Sequence, residues 1–152
     1  MSYLSLKRLW SMTIACLCLL LGAPALQANT VTGNQNPDLQ VAVTLESSGS
    51  NPEIASAGDV LTGSWTVVNT TGRELTVKVK YVWEPPAQAV HVVHKVYTLK
   101  AHGVLHYSGT FRITKQISTG QFNLSMEATD DIGTGFKSYS AATANVTIVA
   151  SG

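Results

Sequence analysis

Leu75-Thr76-Val77-Lys78-Val79-Lys80-Tyr81-Val82-Trp83 alternates apolar residues with mostly polar ones. Successive side chains of a strand point to opposite faces, so this stretch reads as a half-buried β-strand. Leu75, Val77, Val79, Tyr81 and Trp83 form its inward face, and Thr76, Lys78 and Lys80 face water. Pro85-Pro86 ends the pairing, because proline has no N–H for the ladder.

The same period recurs on both sides of this stretch. Upstream, a strand from about Asp59 to Asn69 carries Leu61, Trp65 and Val67 on one face, and Thr70-Thr71-Gly72 breaks it. Before it, Leu39, Val41, Val43 and Leu45 alternate with Gln40, Ala42, Thr44 and Glu46. The connector Ser47–Gly58 holds the turn signals Gly49 and Asn51-Pro52. Downstream, Val90–Leu99 and Val104–Thr114 flank Lys100-Ala101-His102-Gly103 and read as a hairpin. With Lys100 opposite Gly103, the inward set Leu105, Tyr107, Phe111 and Ile113 faces Thr98, Val96, Val92 and Val90. One register then buries an apolar face on both strands. Phe122, Leu124, Met126 and Ala128 mark a sixth strand. After a turn at Asp130–Gly135, Ala144, Val146 and Ile148 mark a seventh, extended by part of Phe136–Ala142.

No stretch combines helical periodicity with caps. About seven short strands with frequent turns predict an all-β, antiparallel, immunoglobulin-like sandwich over residues 39–150. A small closed barrel is the alternative. Residues 29–38 are polar and read as a flexible lead-in.

Residues 1–28 differ in kind. Lys7-Arg8 precede an apolar run from Leu9 to Leu21, and Gly22-Ala23-Pro24-Ala25-Leu26-Gln27-Ala28 follows. This is the three-part layout of a secretory signal peptide, with cleavage expected after Ala28 or, failing that, Ala25. An uncleaved N-terminal anchor is the alternative, although the run falls short of the roughly 20 residues a span needs. Cys16 and Cys18 lie inside the run rather than at its end, which argues against lipidation. Their loss with the signal leaves no cysteine, and so no disulfide, thiolate metal site or cysteine nucleophile. Losing Lys7 and Arg8 also turns the net charge from +1 to −1. Such a chain lacks the electrostatic footprint of a nucleic-acid binder and has no further membrane segment. The expected location is exported, periplasmic or extracellular.

Asn36-Pro37-Asp38-Leu39-Gln40-Val41, Ala57-Gly58-Asp59-Val60-Leu61 and Trp65-Thr66-Val67-Val68-Asn69-Thr70-Thr71-Gly72 occur in that order. Thr119-Gly120-Gln121-Phe122-Asn123-Leu124 follows ahead of Asp130. This series resembles the bacterial CARDB-like, cell-adhesion-related domains, immunoglobulin-type sandwiches of surface and envelope proteins. The resemblance spans most of residues 29–152 and implies a binding or spacer module, with no catalytic residues to carry over. The histidine-bearing segment lies outside it.

All four histidines, His91, His94, His102 and His106, fall in that segment. In the hairpin register His94 faces inward opposite Gly109, and His102 sits in the turn. His91 and His106 face outward but lie roughly 20 Å apart along the strand. Zinc needs ligands at about 2.0–2.1 Å, so the spacing argues against a common metal site. The outward face of the hairpin would gather His91, Val93, Lys95, Tyr97, His106 and Arg112. His91, Lys95, Tyr97, His106 and Arg112 are therefore the candidate partner-binding residues, gaining charge near about pH 6 as histidines protonate. Thr143–Val149, rich in β-formers and uncharged, is a second candidate, for strand addition or self-association. Glu127, Asp130 and Asp131 are too few for calcium and read as a solvated turn. Neither a nucleophile elbow nor a metalloprotease motif occurs. The expected function is an exported, non-enzymatic binding or structural module of the cell envelope, without cofactor, for a protein or glycan partner or within a larger assembly. The alternative is a metal- or small-ligand-binding periplasmic protein using the hairpin 90–114.

Overall fold

The computed structural model describes residues 29–130 and 139–151. The expected signal peptide, most of the turn at 130–135 and residues 136–138 lie outside the described residues. Nine strands are described: β1 (Asn29–Gly33), β2 (Leu39–Ser47), β3 (Ile54–Ala55), β4 (Val60–Asn69), β5 (Leu75–Glu84), β6 (His91–Leu99), β7 (Val104–Arg112), β8 (Gly120–Asp130) and β9 (Tyr139–Ile148). They form two sheets, in the orders β1-β2-β4-β7 and β3-β9-β8-β5-β6. Every pairing is antiparallel except the short parallel contact of β3 with β9. The fold is an immunoglobulin-like β-sandwich.

Alternation drives the core. Leu39, Val41, Val43 and Leu45 of β2 face inward, as do Leu61, Trp65 and Val67 of β4. From the other sheet come Leu75, Val77, Val79 and Tyr81 of β5, with Phe122, Leu124, Met126 and Ala128 of β8 and Ala144, Val146 and Ile148 of β9. Burying each of these side chains contributes roughly 1.5–3 kcal/mol for the larger ones. The described residues contain no cysteine, so within them it is this hydrophobic core, and no disulfide, that joins the two sheets.

Two segments differ from the sequence reading. Asn29–Gly33 forms an edge strand, not a loose lead-in: it pairs residue for residue with Val41–Leu45, and Thr30 and Thr44 hydroxyls bond at 2.8 Å. Its apolar content is too low to announce this, and the pairing with β2 supplies what periodicity does not. More important, β6 and β7 do not form a hairpin. β6 turns back on β5, from Leu75↔Leu99 to Trp83↔His91, with Pro85–Val90 as the connection. β7 crosses to the other sheet and pairs with β4, from Val60↔Arg112 to Val68↔Val104. The tight turn between them survives, with Gly103 N–H donating to the Lys100 carbonyl at 2.8 Å, but it joins two layers. Asn69, fully buried, anchors that crossing: its Nδ2 donates to the carbonyls of Lys100 at 2.9 Å and Arg73 at 2.7 Å.

The two layers converge at one side. The backbones of β1 and β2 lie close over β9 and β8, whereas β7 and β6 stand further from the facing sheet. Small residues permit the close approach, since a Cβ on Gly33 would collide with the Ala141 carbonyl. Aromatic rings fill the wider gap. Trp65 packs on Tyr81 at 4.9 Å, on Tyr107 at 5.0 Å and on Trp83 at 5.8 Å between ring centroids. Phe111 and Phe122 extend the group at 5.0 Å.

Candidate functional site

β6 and β7 are the outer strands of opposite sheets on the same side of the sandwich, each hydrogen-bonded to one neighbour only among the described residues. Together they frame an open flank. Of β6 only Leu99 is fully buried, and no residue of β7 is. The register assigns the inner positions: His91, Val93, Lys95 and Tyr97 share a face with Trp83, Tyr81, Val79 and Val77 of β5. Across the gap, Leu105, Tyr107, Gly109 and Phe111 share a face with Val67, Trp65, Gly63 and Leu61.

Tyr107 stands at the mouth, 47% exposed. Its ring stacks on Tyr81 at 5.9 Å, and Lys95 Nζ lies 5.7 Å from its centroid, a cation–π contact that bridges the two edge strands. Deeper in, the Trp83 indole crosses the floor. Two glycines make room for it: a Cβ at Gly63 would sit 2.6 Å from Trp83 Cη2, and one at Gly109 3.5 Å from Cζ2. The space at Gly109 therefore accommodates Trp83 from β5, not His94.

Polar chemistry in this group is short of acceptors. Trp65 is 2% exposed, and its Nε1–H has no hydrogen-bond partner among the described residues. The Tyr81 hydroxyl, beside the Tyr97 phenol, is also without a well-formed hydrogen bond. Burial, and after it the neighbouring Tyr97 and Tyr107 phenols, push its ionisation far above the ordinary tyrosine range.

The five candidate residues divide between two surfaces. His91, Lys95 and Tyr97 lie on the inner side of β6, along the open flank. His106 and Arg112 lie on the outer face of the β1-β2-β4-β7 sheet, where His106 Nδ1 and Thr66 Oγ1 are 3.1 Å apart and Arg112 pairs with Val60. The single outward face expected from the hairpin does not exist, because its two strands belong to different layers. His94 points away from the core beside Lys80, in a shallow depression of about 300 Å³ that Lys78, Val96 and Glu127 also line. His102 occupies the turn with a positive φ of 55°. The histidine hairpin of the alternative reading is thus dispersed, and among the described residues no group of three or more His, Cys, Asp or Glu is placed to hold a metal ion.

Asp130 is buried rather than solvated, and Arg73 Nη2 reaches it at 3.4 Å while bonding Asp38 at 3.0 Å. Asp131 lies outside the described residues. The Thr143–Val149 edge is paired at its C-terminal end, and Gln35 covers β9 just upstream of it, at Ala141. Thr147 N–H donates to the carbonyl of Glu53, just before β3, and Val149 N–H to that of Ala55 in β3, both at 2.9 Å. Gln35 imitates a strand partner for Ala141, accepting from its N–H at 2.9 Å and donating to its carbonyl at 3.3 Å. The residues missed in the sequence are Trp83 as the floor, Tyr107 as the mouth and Gln35 as the edge cover. Tyr107 was legible as inward-facing, but no local signal tells which strand ends a sheet.

No family model matches the chain, and no curated protein matches it. Solved structures are similar to it in fold. The C-terminal domain of Wzt aligns with a TM-score of 0.51 at 8% identity, over 83% of this chain and 80% of that one. A CARDB domain from Pyrococcus furiosus, solved with two metal ions, aligns at 0.46 and 17% identity, over 70% and 87%. An alkylpurine DNA glycosylase of Pseudomonas fluorescens aligns at 0.48 and 15% identity over 73% of this chain, which spans 30% of the glycosylase. At these identities the likeness is one of fold.

Proposed function

We propose that this chain is an exported, non-enzymatic binding module of the cell envelope, CARDB-like in type, that engages a protein partner through the open flank between β6 and β7. The observation that carries the reading is the pair of edges on one side that the described residues leave uncovered, filled by aromatic rings. Tyrosine and tryptophan at a partly exposed, packed position are what binding hot spots use. Tyr107 already stacks on Tyr81 beneath the Lys95 ammonium. That arrangement favours a protein partner over a sugar ring, which would need an uncovered aromatic face. The basic Lys7-Arg8, the apolar run and the small residues ending at Ala28 support export.

The test expresses the full chain in a bacterial host and recovers it from the periplasmic fraction. Mass spectrometry should find Asn29 as the first residue. The processed protein, cross-linked in envelope extract, should retain a partner that Tyr107→Ala loses at unchanged melting temperature. Retention of the leader, or equal capture by both proteins, overturns the corresponding half of the reading.

A further inference from the structure

The partner's chemistry can be taken one step further, on the premise that the open flank is a binding surface. We propose that it receives an extended acidic peptide segment, which adds to the free edge of β6 and directs an Asp or Glu carboxylate at Lys95.

Three observations converge. First, β6 is built to accept a strand. It runs for nine residues, His91–Leu99, without proline, and the positive-φ residues Ala87 and His102 flank it without interrupting it. The corresponding edge of the same sheet, at β9, is taken in part, by β3 at Thr147–Val149 and by Gln35 at Ala141. An added strand gains main-chain hydrogen bonds from β6 and pockets for alternate side chains.

Second, the flank lacks one strand's worth of cover. The facing sheet stops at β6, and no inner residue of β7 is fully buried. A strand beside β6 would extend that sheet past Tyr107, whose ring stacks on Tyr81 of β5 and meets Lys95 of β6. On the outer surface it would also shield Val92 and Val96, the latter 61% exposed.

Third, the charge is one-sided. β6 and β7 carry His91, His94, Lys95, His106 and Arg112, and neither contains Asp or Glu. Among the inner groups, the Lys95 ammonium is a donor, and so is the Trp65 N–H, which has no partner among the described residues. An inward-pointing lysine on an edge strand is also a known safeguard against self-association. Antiparallel pairing of two β6 strands about their centres would bring Lys95 against Lys95 of the second copy, which like-charge repulsion opposes. A carboxylate in that place instead converts the safeguard into a charge-assisted contact.

The probe is a fluorescent eight-residue peptide alternating valine and threonine with one central glutamate, compared with the same peptide carrying lysine there. Binding to the processed protein is read by anisotropy, and hydrogen exchange locates it. The glutamate peptide should bind at least about tenfold tighter, the fold-change of about 1.4 kcal/mol, and slow exchange at amides within 91–99. Lys95→Glu, whose melting temperature checks its folding, should reverse the preference. Equal binding of the two peptides, or no protection in β6, overturns the proposal. So does oligomerisation through β6 without peptide, which would make a second copy the occupant. Lys95-dependent binding of polygalacturonate without β6 protection would point to an acidic glycan instead. If the peptide fails while Tyr107-dependent capture persists, only the strand-addition inference falls.

Discussion

The two lateral flanks of this sandwich solve the same problem in opposite ways. On the flank of β1, β3 and β9, Gly33 and Ala141 let the layers meet, and spare backbone groups find partners inside the chain. Gln35 serves Ala141, the Ser140 hydroxyl donates to the Leu39 carbonyl at 2.6 Å, and the Asn36 N–H donates to Ser140 Oγ at 2.9 Å. On the flank of β6 and β7, large rings hold the layers apart, and an indole N–H has no partner among the described residues. Side-chain size sets the gap, and the gap decides whether an edge is closed from within or left for another molecule. The closed flank contributes stability, and the open one contributes surface.

The largest break in this comparison should come from Trp65→Ala. Trp65 touches three other rings and is buried against both sheets, so its loss leaves a cavity that the wide flank cannot close. Urea unfolding should show a loss of about 3–5 kcal/mol. A loss below about 1 kcal/mol would mean that the flank collapses readily and that the rings do not prop it open. Next comes Gly33→Val on the opposite side. Its Cβ would strike backbone, the Ala141 carbonyl, which cannot rotate away as a side chain could. Overpacking there should cost about 1–3 kcal/mol and speed exchange along β1 and β9.

These two sites also show what a sequence can reveal. Trp65 and its inward neighbours Leu61 and Val67 alternate cleanly with polar residues, so their burial was readable. β6 was not readable in the same way. Both of its parities are apolar, Val92 and Val96 on one and Val93 and Tyr97 on the other, because an edge strand is only half covered and burial does not constrain it. Either face could be turned inward, and the hairpin register with β7 used the wrong one. Lys95, Tyr97 and His91 do share one face, as odd-numbered residues of one strand must, but it is the inner face and not the outward one expected. Joining them to His106 and Arg112 required knowing which layer β7 enters, and that depends on its distant pairing with β4. Gly33, likewise, acts through a residue more than a hundred positions away, which no local pattern encodes.

A smaller effect should sharpen the closed side. Gln35→Ala removes both hydrogen bonds to Ala141 and leaves a strand edge unsatisfied. The expected loss is about 1 kcal/mol. The more telling readout is sedimentation, since an uncovered edge invites pairing between molecules. A monomeric Gln35→Ala protein would show that β3 alone protects β9.

The smallest effect at neutral pH should come from Tyr81→Phe on the open side, and its value lies in the alkaline range. Tyr81 is 4% exposed, and its hydroxyl lacks a well-formed hydrogen bond, so the substitution should be close to neutral or slightly stabilising near pH 7. In the unfolded chain the phenol ionises near its ordinary value of 10.0, whereas burial holds it protonated in the fold to much higher pH. Above pH 10, therefore, the unfolded chain releases a proton that the folded one keeps. Its contribution to stability is complete below that pH and is lost as pH rises toward the raised folded value. Wild type should consequently lose stability above pH 10 faster than Tyr81→Phe does. Parallel curves would mean that the hydroxyl meets water in solution, and that the open flank is wetter around Tyr81 than its ring packing implies.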